Sequence, residues 1–172
     1  MYTMACNKPS DIYEHLPILN ELAAQCNHIT EFGVGNGNSS TAFLNSTATL
    51  RSYDIRILPD AEYLFNEAKK LGRDVELIYG DSLYIKQFSD TDLLFIDSLH
   101  TYRQLREELS LYNKHVRKWI VMHDTSLFGD VGEDGQTGLW LAIEEYLELH
   151  PKWILQERRY NNNGLTILKR IT

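Results

Sequence analysis

The order of apolar and polar positions along the chain predicts strands that alternate with helices. Unbroken apolar runs at residues 93–96 and 119–122 are typical of strands that are buried on both faces. Apolar residues at three- and four-residue steps predict amphipathic helices at residues 11–26, with Ser10 as the N-cap, and between residues 59 and 72. Strands separated by helices predict a parallel sheet with helices on both faces.

The last third of the chain departs from this alternation. Residues 126–137 are rich in glycine and acids and poor in apolar residues, which predicts a loop over the active face. An apolar helical pattern at 139–150 is stopped by a proline. Strand-like runs at 153–160 and 165–171 flank residues 161–164, Asn-Asn-Asn-Gly, which tolerate positive φ. An antiparallel hairpin is therefore expected at the C-terminal end.

Length and composition suit one domain over residues 1–172, with a helical segment at residues 1–27 that covers the sheet. The chain has no apolar run long enough to span a bilayer and no signal-peptide pattern at its start, so a cytoplasmic location without a membrane partner is expected. A net charge of -7 argues against nucleic acid as the partner, because phosphate binding requires clustered Lys and Arg. Cys6 and Cys26 are expected to be free thiols.

The segment Glu-Phe-Gly-Val-Gly-Asn-Gly at residues 31–37 is the most distinctive sequence in the first half of the chain. It lies between an apolar run that starts at His28 and a predicted helix start at Asn38. A strand that turns into a helix through glycine brings the backbone close to a ligand and directs free amides at it. The dinucleotide fingerprint requires a third glycine at position 38, where this chain has asparagine. Glycine-rich turns of this kind also form for structural reasons alone.

Acidic residues stand at the carboxyl ends of the predicted strands, where ligands bind in doubly wound sheets. They are Glu31, Asp54, Asp81, Asp97 and Asp124. Asp54 follows the glycine turn by about 20 residues, the position of a carboxylate that accepts hydrogen bonds from ribose hydroxyls. Asp54 and Asp81 could each equally be a helix N-cap, so both interpretations stand. Taken together, the acids predict one crevice lined with carboxylates.

The pattern Glu-x-Gly-x-Gly-x-Gly resembles the first motif of class I S-adenosylmethionine (SAM) dependent methyltransferases. The resemblance implies a Rossmann-like, doubly wound α/β sheet of seven strands, mostly parallel with an antiparallel C-terminal hairpin strand, and SAM as the cofactor. It also implies that the acid and the glycines line the methionine end of SAM and that the segment after the third strand contacts the adenine. The residues that would bind the cofactor are Glu31, Gly33, Gly35, Gly37, Asp54, Asp81 and Ser82.

Two later segments resemble further methyltransferase motifs, I-D-x-x-H-x-Y at residues 96–102 and H-D-T at residues 123–125. The family that carries them includes small-molecule and sugar O-methyltransferases and cephalosporin-hydroxylase-like proteins. In its metal-dependent members, the Asp of the first motif and a pair of residues after the next strand hold a magnesium ion. The residues that this resemblance implies are Asp97, His123 and Asp124 as metal ligands, and Asp97 and His100 as catalytic groups.

The chemistry of these side chains agrees in part with that assignment. A hard cation such as magnesium prefers carboxylate oxygens and lowers the pKa of a bound hydroxyl. An imidazole from His123 would shift the preference toward manganese or iron, and the alternative is that His123 orients Asp124 or the cofactor. His100 is predicted at a helix N-terminus, where the dipole disfavours imidazolium and keeps the ring available as a base. The alternative for His100 is a helix-start residue without a catalytic role.

These observations favour a SAM-dependent O-methyltransferase that acts on a small hydroxylated acceptor, such as a sugar or a natural-product precursor, with magnesium or manganese as the candidate metal. A non-catalytic SAM- or nucleoside-binding domain of a larger assembly is the alternative. An enzyme that binds NAD or a nucleotide sugar is the third interpretation. The acceptor, the metal requirement and homo-oligomerisation stay open at the level of sequence.

Overall fold

The computed structural model describes residues 1–171, which contain one seven-stranded sheet. Thr172, the last residue of the predicted domain, lies outside the described residues. The strands are β1 (His28–Phe32), β2 (Thr49–Asp54), β3 (Val75–Tyr79), β4 (Thr91–Ile96), β5 (Val116–His123), β6 (Trp153–Arg159) and β7 (Leu165–Arg170). The α-helices are α1 (Tyr2–Cys6), α2 (Leu16–Ala23), α3 (Asn38–Leu44), α4 (Pro59–Lys70), α5 (Tyr102–Tyr112) and α6 (Leu139–Leu149). Short 3-10 turns occupy Tyr13–His15, Ser82–Tyr84 and Asn113–His115.

The strands follow the order β3-β2-β1-β4-β5-β7-β6 across the sheet. Strands β1 to β5 are parallel, and β7 is antiparallel to both β5 and β6. The predicted fold class is therefore confirmed, including the C-terminal hairpin. Strand β1 pairs with β2 on one side and β4 on the other, so the chain changes direction across the sheet at this point. Such a switch point leaves a crevice beyond the carboxyl ends of the strands.

Two hydrophobic layers cover the two faces of the sheet. Side chains alternate along each strand, so Leu93 and Phe95 pack in one layer and Leu94 and Ile96 in the other. Buried residues of α2, α3 and α4 belong to the first layer, and those of α5 and α6 belong to the second. The central strands are apolar at consecutive positions because both of their faces are covered.

The predicted helix at residues 11–26 is wrong at its start. Tyr13–His15 form a 3-10 turn, and α2 begins only after it. Pro17 stands in the first turn of α2, where its missing N–H is tolerated. An α-helix that arrived from the N-terminal side would need that N–H and would clash with the proline ring. Ser10 accepts a hydrogen bond from the N–H of Ile12 at 3.4 Å, ahead of the 3-10 turn, and does not cap α2.

None of the helices within residues 1–171 has the length and the apolar content needed to cross a membrane. Cys6 is half-buried and Cys26 is buried, and both are free thiols as predicted.

Candidate functional site

A crevice of about 860 Å³ opens at the carboxyl ends of β1 to β5. Its size falls in the range of small-molecule sites. The predicted site residues that line it are Gly33, Gly35, Asp54, Asp81, Ser82, Asp97, His100 and Asp124. Glu31, Gly37 and His123 are not among its lining residues. The sheet therefore brings most of the predicted residues together at the crevice, and three of them lie outside its lining.

The glycine turn after β1 requires Gly33 and Gly35 for different reasons. Gly33 has a φ of +80°, and a Cβ there would lie 1.9 Å from the carbonyl oxygen of Asp97. Only glycine lets the ends of β1 and β4 approach this closely. Gly35 has a φ of +52°, and a Cβ there would meet no atom within 4 Å. Gly35 therefore leaves space at the crevice, whereas Gly33 serves the packing of two strands.

Asp54, the last residue of β2, binds the glycine turn directly. Its Oδ2 accepts hydrogen bonds from the N–H groups of Val34 at 2.8 Å and Gly35 at 3.0 Å. Its Oδ1 accepts from the N–H of Arg56 at 2.8 Å. The prediction that the turn directs free amides at a ligand is therefore wrong for these two amides, because a carboxylate already satisfies them. Asp54 nevertheless lines the crevice.

Glu31 lies beneath the glycine turn and is completely buried. Its carboxyl group accepts hydrogen bonds from the hydroxyls of Ser39 (2.6 Å), Ser40 (2.8 Å) and Ser52 (2.5 Å). Burial raises the pKa of Glu31 to about 7, although the serine hydroxyls act in the opposite direction. Glu31 thus ties β1 to the first turn of α3 and to β2, and its carboxyl group does not face the crevice. Gly37 also lies away from the crevice, against α4.

Asp81 and Ser82 follow β3 and begin a 3-10 turn. The Oδ1 atom of Asp81 accepts a hydrogen bond from the N–H of Leu83 at 2.9 Å, so the N-cap interpretation is confirmed for Asp81. Ser82 is buried and donates its hydroxyl hydrogen to Glu108 Oε1 at 2.5 Å. Both residues also line the crevice, at the end that is remote from Asp124. Asp81 therefore caps the 3-10 turn and lines the crevice at the same time.

Side chains from the ends of β4 and β5 meet at the opposite end of the crevice. His100 Nε2 lies 3.0 Å from Asp124 Oδ2 and 3.3 Å from Asp97 Oδ1. His123 Nδ1 lies 3.3 Å from the same oxygen of Asp97 and 3.4 Å from Asp124 Oδ1. Asp124 has a φ of +59°, a conformation that costs free energy outside glycine and is often found at functional sites. Two imidazoles and two carboxyl groups therefore form one compact cluster.

The two histidines and Asp97 stabilise one another in their charged forms. Burial alone would lower the pKa of each imidazole, but the neighbouring Asp97 and Asp124 outweigh it, so the pKa of His100 is raised and that of His123 is raised to about 9. Burial alone would raise the pKa of Asp97, but His100 and His123 lower it to about 2. The prediction that a helix dipole keeps His100 neutral is wrong, because α5 starts only at Tyr102 and carboxylates dominate the surroundings of the ring.

His123 stands behind the crevice wall with 1% of its side chain exposed. Its Nε2 lies 3.2 Å from the carbonyl oxygen of Asn162, which can only accept a hydrogen bond. Nε2 therefore carries a hydrogen, and in the charged ring Nδ1 carries a second one that faces Asp97 and Asp124. This arrangement suits the alternative that the sequence left open, in which His123 orients Asp124.

The donor set of the cluster fits a divalent cation. Within the described residues, Asp97, His100 and Asp124 each offer a ligand atom, and these atoms all lie within 4.8 Å of one another. Asp124 Oδ1 is buried and makes no hydrogen bond to any of residues 1–171, although His123 Nδ1 lies within ion-pair distance at 3.4 Å. A buried carboxylate oxygen without a hydrogen bond is well suited to a cation. The nitrogen ligand in this grouping is His100, not the predicted His123.

The loop at residues 126–137 contributes two residues to the site, Glu133 and Phe128, that sequence reasoning missed. Glu133 Oε2 lies 3.2 Å from His100 Nδ1, and the N–H of Glu133 donates to the carbonyl oxygen of His100 at 2.9 Å. Phe128 stacks on the imidazole of His100, with ring centroids 5.0 Å apart and an interplanar angle of 10°. The loop position was predicted, but a non-periodic segment carries no signal for which histidine its acids will reach.

A comparison with models of protein families gives a match over the central part of the chain. A family model described as a methyltransferase domain matches residues 30–125, which is more than half of the chain. The matched region begins in β1 and ends just after β5, so it includes the glycine turn and the whole acid–histidine cluster. No curated protein matches the chain.

Solved structures with low sequence identity share the fold. The N-methyltransferase NodS from Bradyrhizobium japonicum WM9, in complex with S-adenosyl-L-homocysteine, superposes with a TM-score of 0.69 at 15% identity, over 96% of this chain and 90% of that chain. A putative caffeoyl-CoA O-methyltransferase from Staphylococcus aureus gives a TM-score of 0.66 at 17% identity, over 91% and 83%. A 1,6-didemethyltoxoflavin-N1-methyltransferase from Burkholderia thailandensis gives 0.71 at 11% identity, over 96% and 80%.

Proposed function

Because the chain belongs to the methyltransferase domain family and has the fold of SAM-dependent methyltransferases, we propose that it transfers a methyl group from SAM to a hydroxyl of a small molecule or sugar. One observation carries the proposal for the acceptor side. The imidazole of His100 lies between Asp97 and Asp124 at the crevice, 3.3 Å and 3.0 Å from their oxygens. A hydroxyl must lose its proton during methyl transfer, and this cluster offers groups that accept one.

The glycine turn and the ends of β2 and β3 would hold the cofactor. Gly35 lies where its missing side chain leaves open space, Asp54 lines the crevice as the acceptor for the ribose hydroxyls, and Asp81 stands at the adenine end. SAM supplies a methyl group on a positively charged sulfonium. Asp97 and Asp124 add negative charge to the same crevice, which favours a cation.

Proton removal from the acceptor would use Nε2 of His100. To act as the base, the ring must first release the Nε2 hydrogen that faces Asp97 and Asp124, while Nδ1 keeps its hydrogen toward Glu133. Nε2 then takes the hydroxyl proton as the new bond to the methyl group forms. The imidazolium that results is stabilised by Asp97 and Asp124, which need not take up the proton. Phe128 packs against the ring and holds its plane in place.

The charge at this end of the crevice supports a neutral or cationic acceptor. Carboxyl groups of Asp97, Asp124 and Glu133 surround His100, and Asp11 also lines the crevice. An acceptor with carboxylate or phosphate groups would be repelled there. A neutral polyol or sugar, or an amino-substituted hydroxyl compound, suits the site better.

A divalent cation is a second way to activate the same hydroxyl. Asp97, His100 and Asp124 would hold magnesium or manganese, and a bound cation lowers the pKa of a hydroxyl. Chelation distinguishes the two routes. If the cation is required, EDTA abolishes turnover and magnesium or manganese restores it, whereas a metal-free reaction that uses His100 continues at full rate after exhaustive chelation.

The first experiment tests the cofactor. SAM and S-adenosylhomocysteine should raise the melting temperature of the purified protein, since a ligand that binds only the native state stabilises it. NAD and nucleotide sugars are the comparison ligands. Stabilisation by NAD without stabilisation by SAM would overturn the proposal.

The second experiment separates an enzyme from the alternative, a non-catalytic SAM- or nucleoside-binding domain. Formation of S-adenosylhomocysteine is followed with a panel of neutral, cationic and anionic hydroxylated acceptors. His100→Ala should leave SAM affinity nearly unchanged and reduce turnover by roughly 10²- to 10⁴-fold, the usual range for loss of a general base. His28→Ala is the matched control, because His28 lies at the amino end of β1 and bonds to the carbonyl of Asp90. Binding of SAM without turnover of any acceptor would favour the binding domain.

A further inference from the structure

Glu108 is a buried acid that the proposed chemistry does not use. It lies on the sheet-facing side of α5, among Leu105, Leu109 and Tyr112, and it is completely buried. A carboxyl group at such a position costs free energy unless hydrogen bonds compensate for its desolvation. One of its oxygens, Oε2, is buried and has no hydrogen-bond partner in the structure. An apolar side chain would satisfy the packing at this position, so the carboxyl group calls for another explanation.

The other oxygen of Glu108, Oε1, accepts hydrogen bonds from residues of several elements that line the crevice. Oε1 accepts hydrogen bonds from the hydroxyl of Ser82 at 2.5 Å, the hydroxyl of Ser98 at 2.7 Å and the amide nitrogen of Gln104 at 3.0 Å. Ser82, Ser98 and Gln104 all line the crevice, after β3, after β4 and on α5 respectively. The hydroxyl of Tyr112 also donates to the carbonyl oxygen of Ser82. Glu108 therefore fixes the polar wall from behind.

These contacts determine which way the amide of Gln104 points. A carboxylate oxygen can only accept, so the group that faces Glu108 must be the NH₂ of the amide. The same nitrogen donates to Ser82 Oγ at 3.0 Å, while that hydroxyl donates its own hydrogen to Glu108. The amide nitrogen is therefore held within the wall by two acceptors. The amide oxygen of Gln104 is the atom that remains to meet a ligand, and an oxygen of this kind accepts a hydrogen bond.

We infer that Glu108 is a positioning residue that orients the Gln104 amide, and that the amide oxygen thereby selects a nucleobase that carries an exocyclic amino group. This inference rests on the proposed function, which places the adenine of SAM beside Asp81 and Ser82. Adenine presents a donor NH₂ at its sixth position, whereas hypoxanthine presents an acceptor oxygen at the same place. Two acceptors that face each other repel, so the wall should reject the deaminated base.

The test compares two nucleosides that differ at that position and, as a consequence, at the neighbouring N1, which accepts a hydrogen bond in adenine and carries a hydrogen in hypoxanthine. The Gln104 variant below assigns the preference to the sixth position. Binding of S-adenosylhomocysteine and S-inosylhomocysteine is measured by calorimetry with the full chain. The unmodified protein should prefer S-adenosylhomocysteine by about 10-fold or more, as expected for one hydrogen bond replaced by an unpaired acceptor. Equal affinities for the two nucleosides would overturn the inference.

Substitutions assign the preference to Gln104 and Glu108. Gln104→Met should reduce the preference by about 10-fold, mainly through weaker binding of the adenosyl compound. Glu108→Leu should have a similar effect because the amide is no longer held, whereas Glu108→Gln keeps an acceptor oxygen and should retain most of the preference. Gln87→Met is the matched control, because Gln87 is exposed and lies outside the crevice.

The outcomes separate this inference from the proposed function. If the unmodified protein binds S-adenosylhomocysteine but Gln104→Met keeps the full preference, the inference fails and the proposed function stands. If the unmodified protein binds neither nucleoside, the proposed function fails and the inference fails with it. Glu108→Leu leaves three donors without their acceptor. Should that variant not fold, Gln104→Met and Glu108→Gln still decide the outcome, since Gln104 is only half-buried.

Discussion

Glu31 and Asp97 stand at the ends of the neighbouring parallel strands β1 and β4, yet their carboxyl groups are stabilised in opposite ways. Glu31 is enclosed by the hydroxyls of Ser39, Ser40 and Ser52, and burial raises its pKa to about 7. Asp97 is desolvated as well, but His100 and His123 lower its pKa to about 2. Neutral donors solvate a carboxylate incompletely, whereas cationic donors add a charge interaction that exceeds the cost of burial.

This difference separates an enclosed carboxyl group, Glu31, from one that can meet a ligand, Asp97. Around neutral pH, Glu31 is close to the midpoint of its titration. The three serine hydroxyls donate to its oxygens, so it acts as a link between β1, β2 and α3. Asp97 is fully ionised there, and 23% of its side chain is exposed at the crevice. A charged group that borders a ligand-sized cavity can act on a ligand, whereas an enclosed one can act only on the fold.

The largest effect is expected from removal of the charge at Asp97. Asp97→Asn keeps the size of the side chain but removes the anion shared by His100 and His123, so turnover should fall by roughly 10²- to 10⁴-fold. Steady-state rates and SAM affinity are measured together, because the loss should be confined to the rate. Asp130→Asn is the control, since Asp130 is exposed on the loop. A rate within about threefold of the unmodified protein would show that Asp97 and Glu31 do not differ in role.

The contact between the two regions supplies the second prediction. Gly33→Ala would place a Cβ 1.9 Å from the carbonyl oxygen of Asp97, so it should destabilise the protein by about 3 kcal/mol or more. Gly35→Asn should cost only about 1 kcal/mol, because Asn tolerates positive φ and the space there is open. Urea unfolding measures both losses of stability, and SAM titration measures the affinity of each variant for the cofactor. Gly35→Asn should lose SAM affinity while it stays folded, and unchanged affinity would remove Gly35 from the cofactor site.

The third prediction concerns the pH dependence of stability. The pKa of Glu31 is raised from 4.5 to about 7 in the folded protein, so its contribution is fully present below pH 4.5 and is lost as the pH rises through 7. The loss should be on the order of 3 kcal/mol at most. Urea midpoints of Glu31→Gln between pH 5 and 8 should lack this decline, whereas Glu107→Gln, at an exposed position of α5, should keep it. Parallel curves for Glu31→Gln and the unmodified protein would contradict the titration.

Sequence alone predicted the sheet and its order of elements well, because both signals are local. The apolar run predicted at residues 93–96 lies within β4, and the C-terminal hairpin followed from the Asn-Asn-Asn-Gly turn. Sequence failed where one residue outweighs a pattern, as at Pro17, whose ring sets the start of α2 despite apolar spacing that extends further back. Periodicity describes faces of helices and strands, and it is insensitive to a single proline.

The candidate site was predictable to the level of which strand ends matter, but not to which side chains face the ligand. Glu31 lies two residues before Gly33, within β1, so the pleat directs it beneath the turn, whereas Asp97 follows the last residue of β4 and reaches the crevice. The pairing of Asp54 with the amides of the glycine turn also depends on three-dimensional geometry. Strand position and spacing do not contain that information.

The smallest effect on turnover is expected from substitution of Glu133. Unlike Glu31 and Asp97, Glu133 has a carboxylate that is open to water, and it pairs with His100. Its side chain is 50% exposed, and its Oε2 lies 3.2 Å from His100 Nδ1. Pairs of this exposure contribute at most about 1 kcal/mol because solvent and salt screen them, so Glu133→Gln should slow turnover by less than about fivefold. The residual effect should shrink further in 0.5 M salt. The effect of Asp97→Asn should persist there, because its partners His100 and His123 have only 19% and 1% of their side chains exposed. The contradicting outcome is a loss of turnover in Glu133→Gln that is as large as that in Asp97→Asn and insensitive to salt. It would mean that the loop closes over His100 during the reaction. The exposure of Glu133 in the free protein would then not measure the strength of this pair.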